Sequence, residues 1–172
     1  MPGQADANAG VGRGMLWLAA IGVLAGLTWF FAALQDKPGE AVTGSDAAGR
    51  AMVQLPQDRS GHYLAEGTIN GQAIHFLVDT GATDVAVSEA QARALGLDFG
   101  PRVTVMTAAG PAEAWMTRLD RVSIGGISRD NVRATITPAL GEEALLGMSF
   151  LKHFDIRQTG GTLIIAEKGF ET

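Results

Sequence analysis

Apolar residues crowd the N-terminal part of the chain. Residues 15–34 (MLWLAAIGVLAGLTWFFAAL) form an uncharged run of 20, which at about 1.5 Å per helical residue matches the roughly 30 Å hydrocarbon core of a bilayer. The run predicts a transmembrane helix following a short tail, residues 1–14. Trp17 lies near one end and Trp29, Phe30 and Phe31 near the other, where amphipathic rings favour the interface. A cleaved signal peptide has a shorter apolar core and ends in a small-x-small site; Ala32-Ala33-Leu34-Gln35 offers no good Ala-x-Ala register, so the segment reads as an uncleaved anchor in the cell membrane. Arg13 and the terminal amine flank one side and Lys37 the other. A cytoplasmic N-terminus is the reading, which places the remainder outside the cytoplasm, in the periplasm if the source is a Gram-negative bacterium. Gly22 and Gly26 form a Gly-x-x-x-Gly pair that lets two such helices approach closely. Residues 35–50 (QDKPGEAVTGSDAAGR) lack apolar periodicity and read as a flexible tether.

Residues 51–172 then carry one domain, large enough for a single modest core. Its signals are mostly those of short strands. Segments 62–69 and 73–78 flank Asn70-Gly71, the strongest short-range hairpin signal. Residues 85–87 predict a strand, and Ser88 caps a helix through Leu95, with Glu89 in its first turn and Gly96 past its end. Segments 103–106 and 114–119 surround Thr107-Ala108-Ala109-Gly110-Pro111 and predict a second, more mobile hairpin. Strands follow over 121–124 and 132–137, separated by Gly125-Gly126. Leu145-Leu146-Gly147 leads into a short helix over 148–153, and a last hairpin joins 154–157 to 162–166 across Gly160-Gly161. Short strands at this spacing with few helices imply a closed or sandwich-like β architecture.

Composition narrows the function classes. With 13 Lys and Arg against 18 Asp and Glu the net charge is −5, and the basic residues are scattered, which argues against a nucleic-acid partner. There is no Cys, which excludes a disulfide framework, a Cys-ligated metal and a thiol nucleophile. His62, His75 and His153 are isolated and lack metal-ligand spacing, and Ser88 lies in no Gly-x-Ser-x-Gly elbow. Gly10-Val11-Gly12-Arg13-Gly14 looks superficially like a phosphate loop, but no strand precedes it. Glu142-Glu143 reads as a solvated loop.

One acidic residue stands where it needs a reason. In Phe76-Leu77-Val78-Asp79-Thr80-Gly81-Ala82-Thr83, Asp79 directly follows what should be a buried strand. Burying an ionised carboxylate costs several kcal/mol unless it is hydrogen-bonded or paired, and Thr80 and Gly81 can supply a hydroxyl and backbone N–H donors. The plainer reading is an Asx-type turn at a strand end.

The surroundings of this tripeptide resemble those in the retropepsin-like aspartic proteases, the single-lobed family that includes the retroviral enzymes, and particularly their membrane-anchored bacterial members. The hairpin at Ile69-Asn70-Gly71, the segment 76–83, Val87-Ser88 and Ala94-Leu95-Gly96-Leu97 carry the likeness, with Leu145-Leu146-Gly147-Met148-Ser149-Phe150-Leu151 as a second ordered landmark. It covers essentially the whole of residues 51–172. The resemblance implies an all-β, single-lobe, closed retropepsin barrel with one or two short helices. It implies Asp79 as catalytic residue, Thr80 and Gly81 as its supports, and no metal or cofactor. Only one Asp-Thr-Gly is present, so a homodimer would bring two copies of Asp79 together to activate a water against a peptide bond. Substrate contacts are implied for Ala82, for Thr107, Ala108, Ala109 and Gly110 of a flap hairpin, and for Leu146 and Gly147. The Tyr of pepsin flaps is absent, and Thr83 stands before Asp84 where viral enzymes commonly place an Asp directly after the Ala. The rival expectation is a non-catalytic module with the same fold that dimerises and holds an extended peptide by strand pairing.

Overall fold

The computed structural model describes residues 41–107, 110–138 and 140–169. The expected tail and membrane helix, with Gly22 and Gly26, lie outside the described residues, as do Ala108 and Ala109; among the described residues no helix is long and apolar enough to cross a membrane.

Strands dominate in the order β1 (Val42–Ser45), β2 (Ala51–Pro56), β3 (Leu64–Ile69), β4 (Gln72–Val78), β5 (Val85–Ser88), β6 (Arg102–Thr107), β7 (Gly110–Ile124), β8 (Ile127–Thr137), β9 (Ala144–Leu146), β10 (Phe154–Thr159) and β11 (Thr162–Glu167). Two short helices interrupt them: α1 (Glu89–Ala94), between β5 and β6, and α2 (Met148–Leu151), between β9 and β10.

The larger sheet runs β3-β4-β9-β5-β8-β7-β6, and β7 also pairs back onto β3 at Gly67 with Ile124 and Ile69 with Val122. Six strands thus close into a barrel, which leaves no open edge among them. β6 hangs outside the ring on the first third of β7, pairing from Arg102 with Trp115 to Thr107 with Gly110. A second sheet, β1-β2-β11-β10, is antiparallel throughout and packs through Val53, Leu55, Leu163 and Ile165 onto the same apolar core that fills the barrel with Phe76, Leu119, Ile124, Ile136, Leu146 and Phe150.

Local chemistry explains the elements. Asn70 and Gly71 both take positive φ, 50° and 83°, which makes the two-residue turn whose twist matches antiparallel strands, so β3 and β4 pair from Leu64 with Leu77 to Ile69 with Gln72. α1 has the full capping box: Ser88 Oγ accepts from Gln91 N while Gln91 Oε1 accepts from Ser88 N.

Two expectations need correction. The strands predicted over 114–119 and 121–124 are one continuous β7 of 15 residues; Asp120 and Arg121 are exposed, and a polar residue on a solvent face does not end a strand. The tether predicted over 35–50 does not extend to Arg50. Residues 42–45 form β1, paired from Val42 with Gln54 to Ser45 with Ala51, and a turn stabilised by Asp46 joins it to β2. Asp46 Oδ1 accepts from Arg50 N at 2.9 Å and from Ala48 N at 2.8 Å, and Asp46 Oδ2 accepts from Arg50 Nε at 2.6 Å. The Arg50 amide and guanidinium hold the Asp46 carboxyl below its usual range. All four β1 residues are exposed, so backbone pairing without burial builds this strand and no apolar period announces it.

Candidate active site

Asp79 is the first residue beyond β4, in a connection that has to bridge a gap. β4 and β5 are consecutive but not adjacent, because β9 inserts between them, parallel to β4 (Phe76 with Ala144, Val78 with Leu146) and antiparallel to β5 (Ala86 with Leu145). The loop 79–84 therefore crosses over the end of β9. Asp79 N donates to Leu146 O at 3.2 Å, and past β9 the chain of α2 returns to the same loop, with Met148 N on Ala82 O at 2.8 Å and Ser149 N on Thr83 O at 2.9 Å.

This crossing requires Gly147. A Cβ there would stand 2.2 Å from Asp84 O and 2.8 Å from Ala82 O, so the Leu-Leu-Gly signature is a statement about backbone approach. Ser149 completes the clamp: its buried Oγ accepts from Val85 N at 2.9 Å and donates to Arg133 O at 2.7 Å, joining α2, β5 and β8.

Within the loop the Asx turn is present. Gly81 N donates to Asp79 Oδ1 at 2.8 Å and Ala82 N to Asp79 O at 3.2 Å. Asp79 is half-buried, while Thr80 and Gly81 are exposed. The carboxylate is therefore fixed by a backbone N–H and faces open space.

That space is a cleft of about 900 Å3. One wall is the loop itself, through Asp79, Gly81, Ala82, Thr83 and Asp84. The opposite wall is β6, through residues 103–107. The floor is a row of facing residues across four strands, Leu145, Ala86, Thr135 and Met116, each paired in register with the next. Asp84, 14% exposed, receives Arg133 Nε at 2.7 Å, so an ion pair does form at this end of the loop although Thr83 displaces the acidic position by one.

The residues expected at the site separate cleanly. Asp79, Gly81, Ala82 and Thr107 line the cleft. Thr80 sits at the exposed tip of the turn, and Gly110 closes the β6–β7 hairpin, its carbonyl accepting from Thr107 Oγ1 at 2.7 Å. Leu146 is fully buried, and its neighbour Leu145 supplies the lining instead, because alternate residues of a strand face opposite ways. Gly147 is buried behind the loop as a spacer. Trp115 packs at the hairpin's base against Phe99, ring centroids 5.4 Å apart, with Arg102 over its ring. The exposed pair Glu142-Glu143 lies in the loop before β9, where Glu142 O accepts from Gln91 Nε2.

Sequence reasoning missed Arg133, Thr135 and Thr137. They were legible as the polar half of an alternation, Val132-Arg133-Ala134-Thr135-Ile136-Thr137, whose apolar half is buried. Thr137 Oγ1 is buried without a hydrogen-bond partner among the described residues.

Comparison with known proteins agrees with this geometry. Residues 65–153, just over half of the chain, match the family model described as "gag-polyprotein putative aspartyl protease". An uncharacterized protein from the cobV 5' region of Sinorhizobium sp. is 40% identical over 126 residues, covering 70% of this chain and 54% of that protein. An uncharacterized protein of Rickettsia prowazekii (strain Madrid E) is 34% identical over 105 residues, covering 59% of this chain and 45% of that one. The chain thus spans about half the length of the curated relatives it matches. Among solved structures, the crystal structure of a retropepsin-like aspartic protease from Rickettsia conorii superposes with a TM-score of 0.58 at 31% identity, over 66% of this chain and 97% of that one. With β9 threaded between β4 and β5 beneath a single Asp-Thr-Gly turn, the chain belongs to the retropepsin-like aspartic protease family.

Proposed function

We propose that the protein is a homodimeric aspartic endopeptidase, anchored in the membrane by residues 15–34 with its protease domain on the extracytoplasmic side. The observation that carries the reading is Asp79, held by Gly81 N–H at the rim of a cleft large enough for an extended peptide. One carboxylate is half of the required machinery. Thr80 lies exposed beside it with its hydroxyl making no hydrogen bond among the described residues, a surface suited to meeting its own copy across a two-fold axis.

Two Asp79 carboxylates brought within roughly 3 Å share one proton, since both cannot ionise at that separation. The charged member takes a proton from a water while the neutral member donates to the scissile carbonyl, which gives a tetrahedral intermediate. The same groups then pass a proton to the leaving amine. Confinement of two chains to one bilayer raises the effective concentration of each half-site near the other.

The test uses the full chain in detergent or nanodiscs, wild type and Asp79→Asn, against a diverse peptide mixture from about pH 3 to 7, a range that brackets a carboxylate dyad. Cleavage by wild type alone, rising more than linearly with protein concentration, is the expected result. A folded dimer that binds peptides equally well with either residue and cleaves none would establish the binding module instead.

A further inference from the structure

Beyond the dyad, the cleft has a charged end. Directly across the antiparallel ladder from Arg133 of β8 stands Arg118 of β7. Residues paired this way share a face with Cβ atoms about 5 Å apart, and like charges in that position destabilise a sheet. Among the described residues one carboxylate, Asp84, engages the pair, and only through Arg133 Nε. The terminal nitrogens of Arg133, whose side chain is 47% exposed, make no hydrogen bond among the described residues. Arg118 donates through Nη1 to the side-chain oxygen of Asn131 at 2.8 Å, with a longer contact to the Asn131 carbonyl, and makes no ion pair among the described residues. In a chain of net charge −5, the cleft lining at this end holds the pair Arg133 and Asp84, and Arg118 stands beside the lining as the ladder partner of Arg133.

We infer that Arg133 and Arg118 form a carboxylate-binding subsite which selects peptides carrying an acidic side chain beside the scissile bond. A guanidinium with its outer edge free presents parallel N–H donors that match a carboxylate bidentately. A second carboxylate placed there also offsets the juxtaposition of two like charges across the ladder. Asp84 acts as the positioning residue: by accepting from Nε it anchors the Arg133 guanidinium at the end of the loop. The inference rests on the peptidase reading for the identity of the ligand as a peptide, and its test separates the two.

Paired peptides differing only by Glu or Gln at each position, each as C-terminal acid and amide, are offered to the full chain. The expected result is a Glu-over-Gln ratio in kcat/KM of about tenfold or more at one position, unchanged by C-terminal amidation and shrinking as salt is raised. Arg118→Gln lowers the ratio several-fold. Arg133→Lys keeps the charge on Asp84 but loses the fork, and lowers it further. Either variant moves the ratio even if overall activity also falls, whereas a purely structural role would scale both peptides alike. A ratio near one, or a ratio that neither variant alters, overturns the inference. Discrimination that vanishes on amidation assigns the site to a chain terminus and overturns the side-chain form. If nothing is cleaved, fluorescence anisotropy of the same peptides on Asp79→Asn decides: a Glu preference lost in Arg133→Lys keeps the subsite while the peptidase reading falls, and no preference removes both.

Discussion

The two walls of the cleft are built on opposite principles. The loop wall is bound to the body of the barrel by hydrogen bonds that span more than 60 residues of sequence, Asp79 N to Leu146 O, Met148 N to Ala82 O, Ser149 N to Thr83 O and Val85 N to Ser149 Oγ. The hairpin wall, β6 with the start of β7, is bound mainly to itself: its ladder runs from Arg102 with Trp115 to Thr107 with Gly110, and at its root Gly100 N donates to Met116 O while Met116 N donates to Pro101 O. Non-local bonds hold the Asp79 loop in place, and the proposed dyad chemistry needs its carboxylate fixed. Beyond Trp115, which also pairs with Ile136 of β8, the hairpin has no ladder to the barrel among the described residues, so its outer part can move without breaking one, as the proposed function asks of an element that admits and covers a peptide. The difference between the walls teaches that precision and access are assigned to separate elements, and it can be attacked from either side.

The heaviest blow falls on the loop wall at Gly147. Gly147→Ala places a methyl group 2.2 Å from a backbone oxygen that belongs to the clamp itself, so neither neighbour can yield without moving the turn. Loss of about 3 kcal/mol or more is expected, read as a lowered midpoint in chemical denaturation, and activity should be lost in whatever fraction remains folded.

Ser149→Ala is gentler and more informative. It leaves the amide of Val85 and the carbonyl of Arg133 without their partner inside the barrel, at an expected cost of about 1–3 kcal/mol. Since the bonds of Met148 N and Ser149 N to the loop survive, the turn should stay in place and lose rigidity. The expected signature is faster amide exchange at Val85, alongside a drop in kcat that exceeds any change in KM.

How far the sequence foretold these walls follows the same division. The β3–β4 hairpin, the N-cap of α1 and the Asp-Thr-Gly turn are local, and each was legible from a few contiguous residues: Asn70-Gly71, Ser88 ahead of Glu89, and Asp79 with Gly81. The insertion of β9 between β4 and β5 has no local signal. Register on β9 was beyond reach, because Leu145 and Leu146 are chemically alike and only the pairing of Leu145 with Ala86 decides which one meets the cleft. Arg133 was missed for the opposite reason. Its alternation with buried neighbours was visible, but nothing in the sequence places β8 beside β5, where Arg133 reaches Asp84. β1 was missed because an exposed strand held by backbone pairing has no apolar code to read.

A titration tests the braced region at its exit. His153, the second residue past α2, is half-buried, and burial first, then the positive charges of Arg129, Lys152 and Lys168, lower its pKa below the ordinary histidine value. Folding therefore disfavours the protonated ring. The associated stability is fully present above that ordinary value, near 6.5, and is lost as pH falls through it toward the lowered one. Denaturation midpoints measured from pH 8 to pH 5 should decline in wild type more than in His153→Gln, with a smaller amplitude than the Ser149 effect. Equal slopes in the two proteins would remove His153 as the cause.

The smallest expected change in stability comes from the other wall. Met106 lies on β6 among the cleft-lining residues and is 81% exposed, so the described residues leave most of it uncovered. Met106→Ser should shift stability by less than about 0.5 kcal/mol, because an exposed side chain contributes almost no burial to lose. If the hairpin closes over a bound peptide, the same methionine is then buried by the ligand, and its removal should raise KM several-fold for an apolar substrate while leaving the denaturation midpoint alone. A variant silent in both measurements would show that this wall stays open when a peptide is bound. A variant that destabilises the free protein would show that the hairpin is tied to the barrel after all, and the contrast between the two walls would fail on its mobile side while the clamp behind Asp79 stood untouched.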